Sequence, residues 1–195
     1  ISNLHIVCAN TGDSRAVLSR EAVAVELSHD HKPYNPEEKE RIENAGSHVK
    51  FNRVNGDLAV SRALGDFVYK RCETVSAKDQ AVTAFPEMIS LERHGKDEFI
   101  VLACDGIWDV MSSQEVVDKV CANFTNTGPS FATTSLNFPA RVLFSNGMSI
   151  ASSYFQIART DENCAMTSPH RAANSRGLDL KNWLIFNNFS VYPKE

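Results

Sequence analysis

The strongest constraint on the fold is a nearly unbroken apolar run at residues 98–104, in which only Glu98 is charged. Such a run is typical of a central strand that is buried on both faces. Asp105 and Asp109 follow at once and flank Gly106-Ile107-Trp108. Carboxylates at the end of a buried strand are held rigidly yet reach the surface, where a site for a hard cation can form. The alternative is a simple turn at Asp105 and a solvated side chain at Asp109.

Further strands are predicted on both sides of this run. Residues 4–8 alternate, a turn sequence follows, and an apolar segment resumes at residues 16–18, which together predict a hairpin. Residues 23–27 predict a third strand. Residues 82–91, interrupted by Pro86, are typical of an edge strand.

Two helices are predicted from their start and stop signals. Asn35 and Pro36 mark an N-terminus with a cap, and Gly46 ends that helix. Ser112 begins a capping box that opens a helix through about Ala122. Strands in pairs with interspersed helices predict an α+β fold, because the strict alternation of a doubly wound sheet is missing.

Composition excludes several classes of function. The 195 residues carry a net charge of -4, which argues against a surface for nucleic acid or anionic membranes. There is no apolar stretch long enough for a membrane span, and the first residues do not form a secretory leader. Five widely spaced cysteines fit reduced thiols. We expect an intracellular protein, cytoplasmic or nuclear.

Charge is distributed unevenly along the chain. Residues 1–121 carry 20 acidic and 14 basic side chains, whereas residues 122–195 carry four and six and are rich in Ser, Thr, Asn and Phe. We therefore predict a boundary near Cys121, with a divergent tail over residues 122–195.

Three further groups could carry chemistry, each with a structural alternative. Asp13 lies in the turn of the predicted hairpin, where an aspartate often bonds its own backbone. Arg62 could bind phosphate, although an ion pair with Asp66 is the default expectation. His29 and His31 have the residue type of transition-metal ligands, but two histidines alone favour structural or solvent roles.

Four segments in a fixed order carry a family resemblance: residues 10–17, 30–46, 56–66 and 102–110. This set resembles the metal-dependent protein serine/threonine phosphatases of the PPM (type 2C) family, over roughly residues 3–121. The resemblance implies part of a two-sheet antiparallel β-sandwich flanked by helices, the αββα arrangement. It also implies hydrolysis of phosphoserine and phosphothreonine in protein substrates by a water that Mg²⁺ or Mn²⁺ activates.

The resemblance also implies roles for individual residues. Asp105 matches a ligand of the family's paired cations, and Asp109 and Asp13 match residues that form a third metal site with it. The family's last metal aspartate has a degenerate counterpart at Asn146, and residues 161–164 offer an alternative.

The family's first-half motifs, a glutamate-aspartate pair, an Asp-Gly-His-Gly-Gly motif and a phosphate-contacting arginine, do not occur in this sequence. We therefore expect the C-terminal portion of a phosphatase domain, and no appreciable turnover by the 195 residues alone. The alternative is an inactive pseudophosphatase or truncated isoform that acts as a binding or regulatory module. The oligomeric state is left open.

Overall fold

The protein is described here by a computed structural model, which covers residues 1–127 and 155–159 and the side chains of residues 1–122. It has an α+β fold, as predicted. The strands are β1 (His5–Asn10), β2 (Arg15–Arg20), β3 (Val23–Glu26), β4 (Val49–Lys50), β5 (Arg53–Val54), β6 (Glu87–Glu92), β7 (Asp97–Ala103) and β8 (Phe155–Arg159). The helices are α1 (Pro36–Asn44), α2 (Asp105–Trp108) and α3 (Ser113–Thr127), with 3-10 turns at Phe67–Tyr69 and Ala77–Asp79.

The described chain divides into two compact units. The first, here called the sheet unit, contains residues 1–6 and 16–27 and the described residues from Leu91 onward. The second, here called the loop unit, contains residues 7–15 and 28–90. No helix in the described ranges combines the length and apolarity needed to cross a bilayer.

The sheet unit is built around β7. Its four strands are ordered β3-β2-β7-β8, and β2–β3 and β7–β8 are antiparallel. Residues 99–103 of β7 are all buried, which confirms the predicted central strand. Val17 of β2 and three valines of α3 join β7 in one apolar cluster. Each such buried side chain contributes about 1.5–3 kcal/mol relative to exposure.

The loop unit has its own apolar core. Ile42 of α1 is fully buried in it together with Val54, Leu58 and Val82. Asn55 and Gly56 both have positive φ, and the amide of Val54 donates to the carbonyl of Leu58 at 2.8 Å. The Asn-Gly sequence therefore forms the tight turn that its residue types favour.

Several predicted elements differ in extent or pairing. The predicted hairpin of β1 with β2 is wrong, because β1 pairs with β6 while β2 lies between β3 and β7. The strand predicted at residues 82–91 begins only at Glu87, after Pro86. Helix α3 extends beyond Ala122 to Thr127.

The ends of α1 are only partly as predicted. The helix begins at Pro36, but the Asn35 side chain does not cap it and instead donates to the carbonyl of Asp30 at 2.8 Å. Gly46 ends the helix with a φ of +78°, which favours glycine, and its amide donates to the carbonyl of Glu43.

Candidate active site

The turn after β7 presents two carboxylates to solvent. Asp105 opens α2, and the amide of Asp109 donates to the carbonyl of Asp105 at 2.8 Å, so the two residues are one helical turn apart. Both are exposed, whereas Ile107 and Trp108 between them are buried. The sequence therefore places acids outward and apolar residues inward within one turn.

Trp108 anchors this turn. Its ring belongs to the apolar cluster of the sheet unit, and its Nε1–H donates to the carbonyl of Ala103 at 2.7 Å. Ala103 is the last residue of β7 and is fully buried. One hydrogen bond and the burial of Trp108 thus hold the turn against the end of the central strand. This fixes the backbone positions from which the two carboxylate side chains extend.

The carboxylates of Asp105 and Asp109 accept no side-chain or backbone hydrogen bond from residues 1–122. Two like charges one turn apart repel each other unless a proton or a cation lies nearby. Free carboxylate oxygens are the ligands that Mg²⁺ and Mn²⁺ prefer. The donor chemistry of this turn therefore fits a hard divalent cation.

Asp13 lies in the loop unit and has a different environment. Only 3% of the residue is exposed, and its Oδ2 accepts a hydrogen bond from the ammonium of Lys32. A buried carboxylate is costly unless it is paired and hydrogen-bonded. Lys32 provides that compensation here.

Hydrogen bonds join residues 10–15 to residues 29–32, which lie alongside them. The Asn10 side chain donates to the carbonyl of His29 at 2.8 Å, and the amide of Gly12 donates to Nδ1 of His31 at 3.2 Å. Arg15 forms two parallel hydrogen bonds to Asp30, at 2.8 and 2.9 Å. We call these contacts, with the Asp13–Lys32 pair, the four-rung ladder. The ladder consists of Asn10–His29, Gly12–His31, Asp13–Lys32 and Arg15–Asp30.

The two histidines do not converge on a site. His31 is buried with its Nδ1 accepting from Gly12, and burial, with a further effect of Arg62, lowers its pKa. His29 pairs with Glu87 at 2.8 Å through its own Nδ1. These roles agree with the structural alternative set out above for His29 and His31.

Arg62 binds Glu38 and not Asp66, so the predicted i,i+4 ion pair is wrong. Its Nη2 and Nε lie 2.6 and 3.0 Å from Oε1 of Glu38, and its Nη1 donates to the carbonyl of Phe85. Residues 62–66 form no helix, so positions four apart do not face each other there.

Glu38 is the residue that sequence reasoning missed. Arg62, Arg41 and Ser61 all donate to this buried carboxylate. Burial alone would raise its pKa, but these hydrogen bonds outweigh burial and lower the pKa from 4.5 to about 2. One signal was available, since Glu38 lies four positions before Ile42 and hence on the buried face of α1.

No group of three or more His, Cys, Asp or Glu side chains within the described ranges is arranged to hold a metal. Asp105 and Asp109 belong to the sheet unit and Asp13 to the loop unit. Their assignment to one metal site stays a prediction, as does the boundary near Cys121. Asn146, residues 161–164 and most of the predicted tail at residues 122–195 lie outside the described residues.

Known proteins resemble this chain over most of its described length. A probable protein phosphatase 2C of Caenorhabditis elegans is 59% identical over 115 residues, which is 59% of this chain and 32% of the relative. Protein phosphatase 2C homolog 2 of Schizosaccharomyces pombe is 55% identical over 115 residues, which is 59% of this chain and 31% of that relative. The chain thus covers about a third of the length of these curated relatives.

A solved structure of a phosphatase from Toxoplasma gondii has 37% sequence identity and a TM-score of 0.59, and the match covers 63% of this chain and 38% of that one. The sequence profile described as Protein phosphatase 2C matches residues 1–153. The profile match includes the β7 run and the Asp105 turn, where the exposed carboxylates follow the buried strand. The chain belongs to the protein phosphatase 2C family.

Proposed function

We propose that this chain is part of a metal-dependent protein serine/threonine phosphatase that hydrolyses phosphoserine and phosphothreonine with Mg²⁺ or Mn²⁺. The family is metal-dependent and consists of protein phosphatases. The observation that carries the proposal is the turn at Asp105 and Asp109. It presents two exposed carboxylates, without hydrogen-bond donors among residues 1–122, from a buried anchor.

Asp105 and Asp109 would hold a divalent cation from one turn. A bound cation supplies an activated water and neutralises charge on the phosphoryl group. The protein's own part is to keep the ligands in place. Trp108 does this through its bond to Ala103 and its burial, so little ligand motion has to be frozen when a cation binds.

In this proposal Arg62 has a structural role, as the ion-pair partner of Glu38, and does not bind the phosphate. Its guanidinium is held by Glu38 and by the carbonyl of Phe85, and only 17% of its side chain is exposed. Releasing Arg62 toward a phosphate would leave the buried Glu38 with fewer donors. The charge needed to bind a phosphoryl dianion is therefore assigned to the cations and not to Arg62.

The test transfers this chain's segment into a complete relative. The 115-residue segment that matches the C. elegans relative replaces its counterpart there, and hydrolysis of a phosphothreonine peptide is followed with Mn²⁺. The chimera should be active, and Asp105→Asn should lower kcat at least about a hundredfold, because a neutral amide is a poor ligand for a hard cation. Asp118→Asn on α3 is the matched control, since Asn can still accept the hydrogen bond from Gln114.

An inactive chimera that folds, or equal activity of the Asp105→Asn and unchanged chimeras, would refute the proposal. The 195-residue chain provides a second measurement. It should bind Mn²⁺, with binding weakened by Asp105→Asn and not by Asp118→Asn. Binding without turnover in the folded chimera would favour the binding or regulatory module.

A further inference from the structure

We propose that the turn between β4 and β5 binds an acidic segment of a partner protein, with Phe51 as the apolar anchor and Lys50 and Arg53 as the cationic contacts. Residues 50–53 form this surface, which we call the hairpin tip. The proposal goes beyond the proposed function, since neither a metal nor a phosphate takes part in it.

Phe51 is not held in place by burial. The residue is 80% exposed, more than any other large apolar residue that the structure describes. Val54 of the same hairpin is fully buried in the core of the loop unit, and Val49 packs against that core. Because side chains alternate along a strand, Lys50 and Arg53 lie on the opposite, exposed face. The hairpin therefore buries its valines and presents two cations and one aromatic ring.

The backbone also disfavours phenylalanine at this position. Phe51 and Asn52 are the central residues of the two-residue turn, and their φ values are +52° and +62°. Such a turn favours Asn and Gly, whereas a bulky side chain at positive φ is strained. Asn52 follows this preference and Phe51 does not. Since neither burial nor turn geometry favours the ring, we assign it to contact with another molecule.

Two cations face each other across the hairpin. Lys50 and Arg53 are directly opposite in the strand register, where like charges destabilise a strand pair. The Lys50 ammonium lies 5.1 Å from the centroid of the Phe51 ring, and Arg53 donates to the carbonyl of Asp57. Neither cation forms a salt bridge with an acidic side chain among residues 1–122. A carboxylate beside them would relieve their repulsion.

This arrangement selects a short acidic partner that also carries an apolar side chain. Carboxylates form charge-assisted hydrogen bonds with ammonium and guanidinium groups, and the Phe51 ring can cover an apolar side chain between them. The positive charge is local, because residues 1–121 carry 20 acidic and only 14 basic side chains. A long polyanion such as a nucleic acid would be repelled by the rest of the surface, whereas a short peptide segment need touch only the hairpin tip.

Phe51→Asn separates binding from stability. Asparagine suits the left-handed backbone of this turn, so the melting temperature of the 195-residue chain should rise by about 2 °C. The same substitution removes the apolar anchor and should weaken binding of an acidic peptide at least about fivefold. A phenylalanine that served only the fold would shift the melting temperature in the opposite direction.

Fluorescence anisotropy measures the binding of a labelled peptide built from Glu-Glu-Leu repeats. The unchanged chain should bind it, less tightly at about 0.5 M salt than at about 0.05 M, because salt screens exposed charges. Lys50→Gln should weaken binding at least about threefold. Phe67→Ala and Lys78→Gln are the matched controls, since both residues are exposed on 3-10 turns elsewhere in the loop unit, and both variants should bind like the unchanged chain.

Three binding results would overturn the inference. They are no binding of the peptide by the unchanged chain, equal binding by the hairpin-tip variants and the controls, and equal affinity for a single-stranded oligonucleotide of the same charge. A lower melting temperature of Phe51→Asn would also overturn it, because the ring would then serve the fold. The assay contains neither metal nor phosphopeptide, so its outcome is independent of the chimera assay that tests the proposed function.

Discussion

Glu38 is a buried acceptor for two arginines, and Glu38→Gln tests how much this arrangement contributes to stability. The carboxylate receives Arg62 at 2.6 Å, Arg41 at 2.8 Å and Ser61 at 2.5 Å. Lowering its pKa from 4.5 to about 2 corresponds to about 3 kcal/mol of stabilisation at neutral pH. Removing one charge from a buried ion pair costs a similar amount, about 3–5 kcal/mol.

The sign of the pH dependence follows from the lowered pKa. Because the folded pKa lies below the unfolded one, the stabilisation by Glu38 is complete above about pH 4.5 and is lost as the pH falls toward 2. At pH 3 about 1.4 kcal/mol should remain. Glutamine does not titrate, so the difference in stability between the two proteins should shrink from about 3 kcal/mol at pH 7 to about 1 kcal/mol at pH 3.

Urea unfolding of the 195-residue chain, followed by far-ultraviolet circular dichroism at both pH values, measures this difference. Glu40→Gln makes the same chemical change on an exposed side of the same helix and should alter the free energy of unfolding by less than about 0.5 kcal/mol. A Glu38→Gln penalty below about 1 kcal/mol at pH 7 would refute the reasoning. So would a penalty of the same size at both pH values.

Two further substitutions test the site turn and the helix that follows it. Trp108→Phe removes the Nε1–H that bonds Ala103, and should lower the free energy of urea unfolding by about 1–2 kcal/mol, whereas an unchanged value would show that this bond contributes nothing. Ser112→Ala removes the capping-box hydroxyl, which lies 2.7 Å from Oε2 of Glu115 and accepts from the amide of Glu115, and should cost about 1 kcal/mol in the same assay. Ser90→Ala on exposed β6 is its control, and equal losses in both variants would contradict the capping argument.

Elements with local signals could be predicted from the sequence. The apolar run of β7 and the Ser112 capping box both depend on neighbours within a few residues, and both are confirmed. The pairing of β1 could not be predicted in this way. Alternation shows that a segment is a strand, but the partner of β1 is β6, which lies far along the chain.

Among the site residues, too, those with local sequence signals could be predicted and those placed by distant contacts could not. Asp105 and Asp109 follow a buried strand directly, so their exposure at its end could be predicted. Lys32 and Arg62 could not be placed, because their partners lie 19 and 24 positions away and are chosen by tertiary packing. Sequence reasoning gave Arg62 a partner four residues on, which requires a helix that the chain does not form there.

The four-rung ladder also bears on the order in which the chain assembles. Its side-chain contacts join residues 15 to 19 positions apart, whereas Arg20 and Asp97 of the sheet unit are 77 apart. Each doubling of loop length costs about 0.6 kcal/mol of closure entropy, so the ladder closes at the smaller entropic cost. It can form once Lys32 has left the ribosome, before β7 has emerged. The acidic turn at Asp13 can thus acquire its lysine partner during synthesis, before the central strand that precedes Asp105 has left the ribosome.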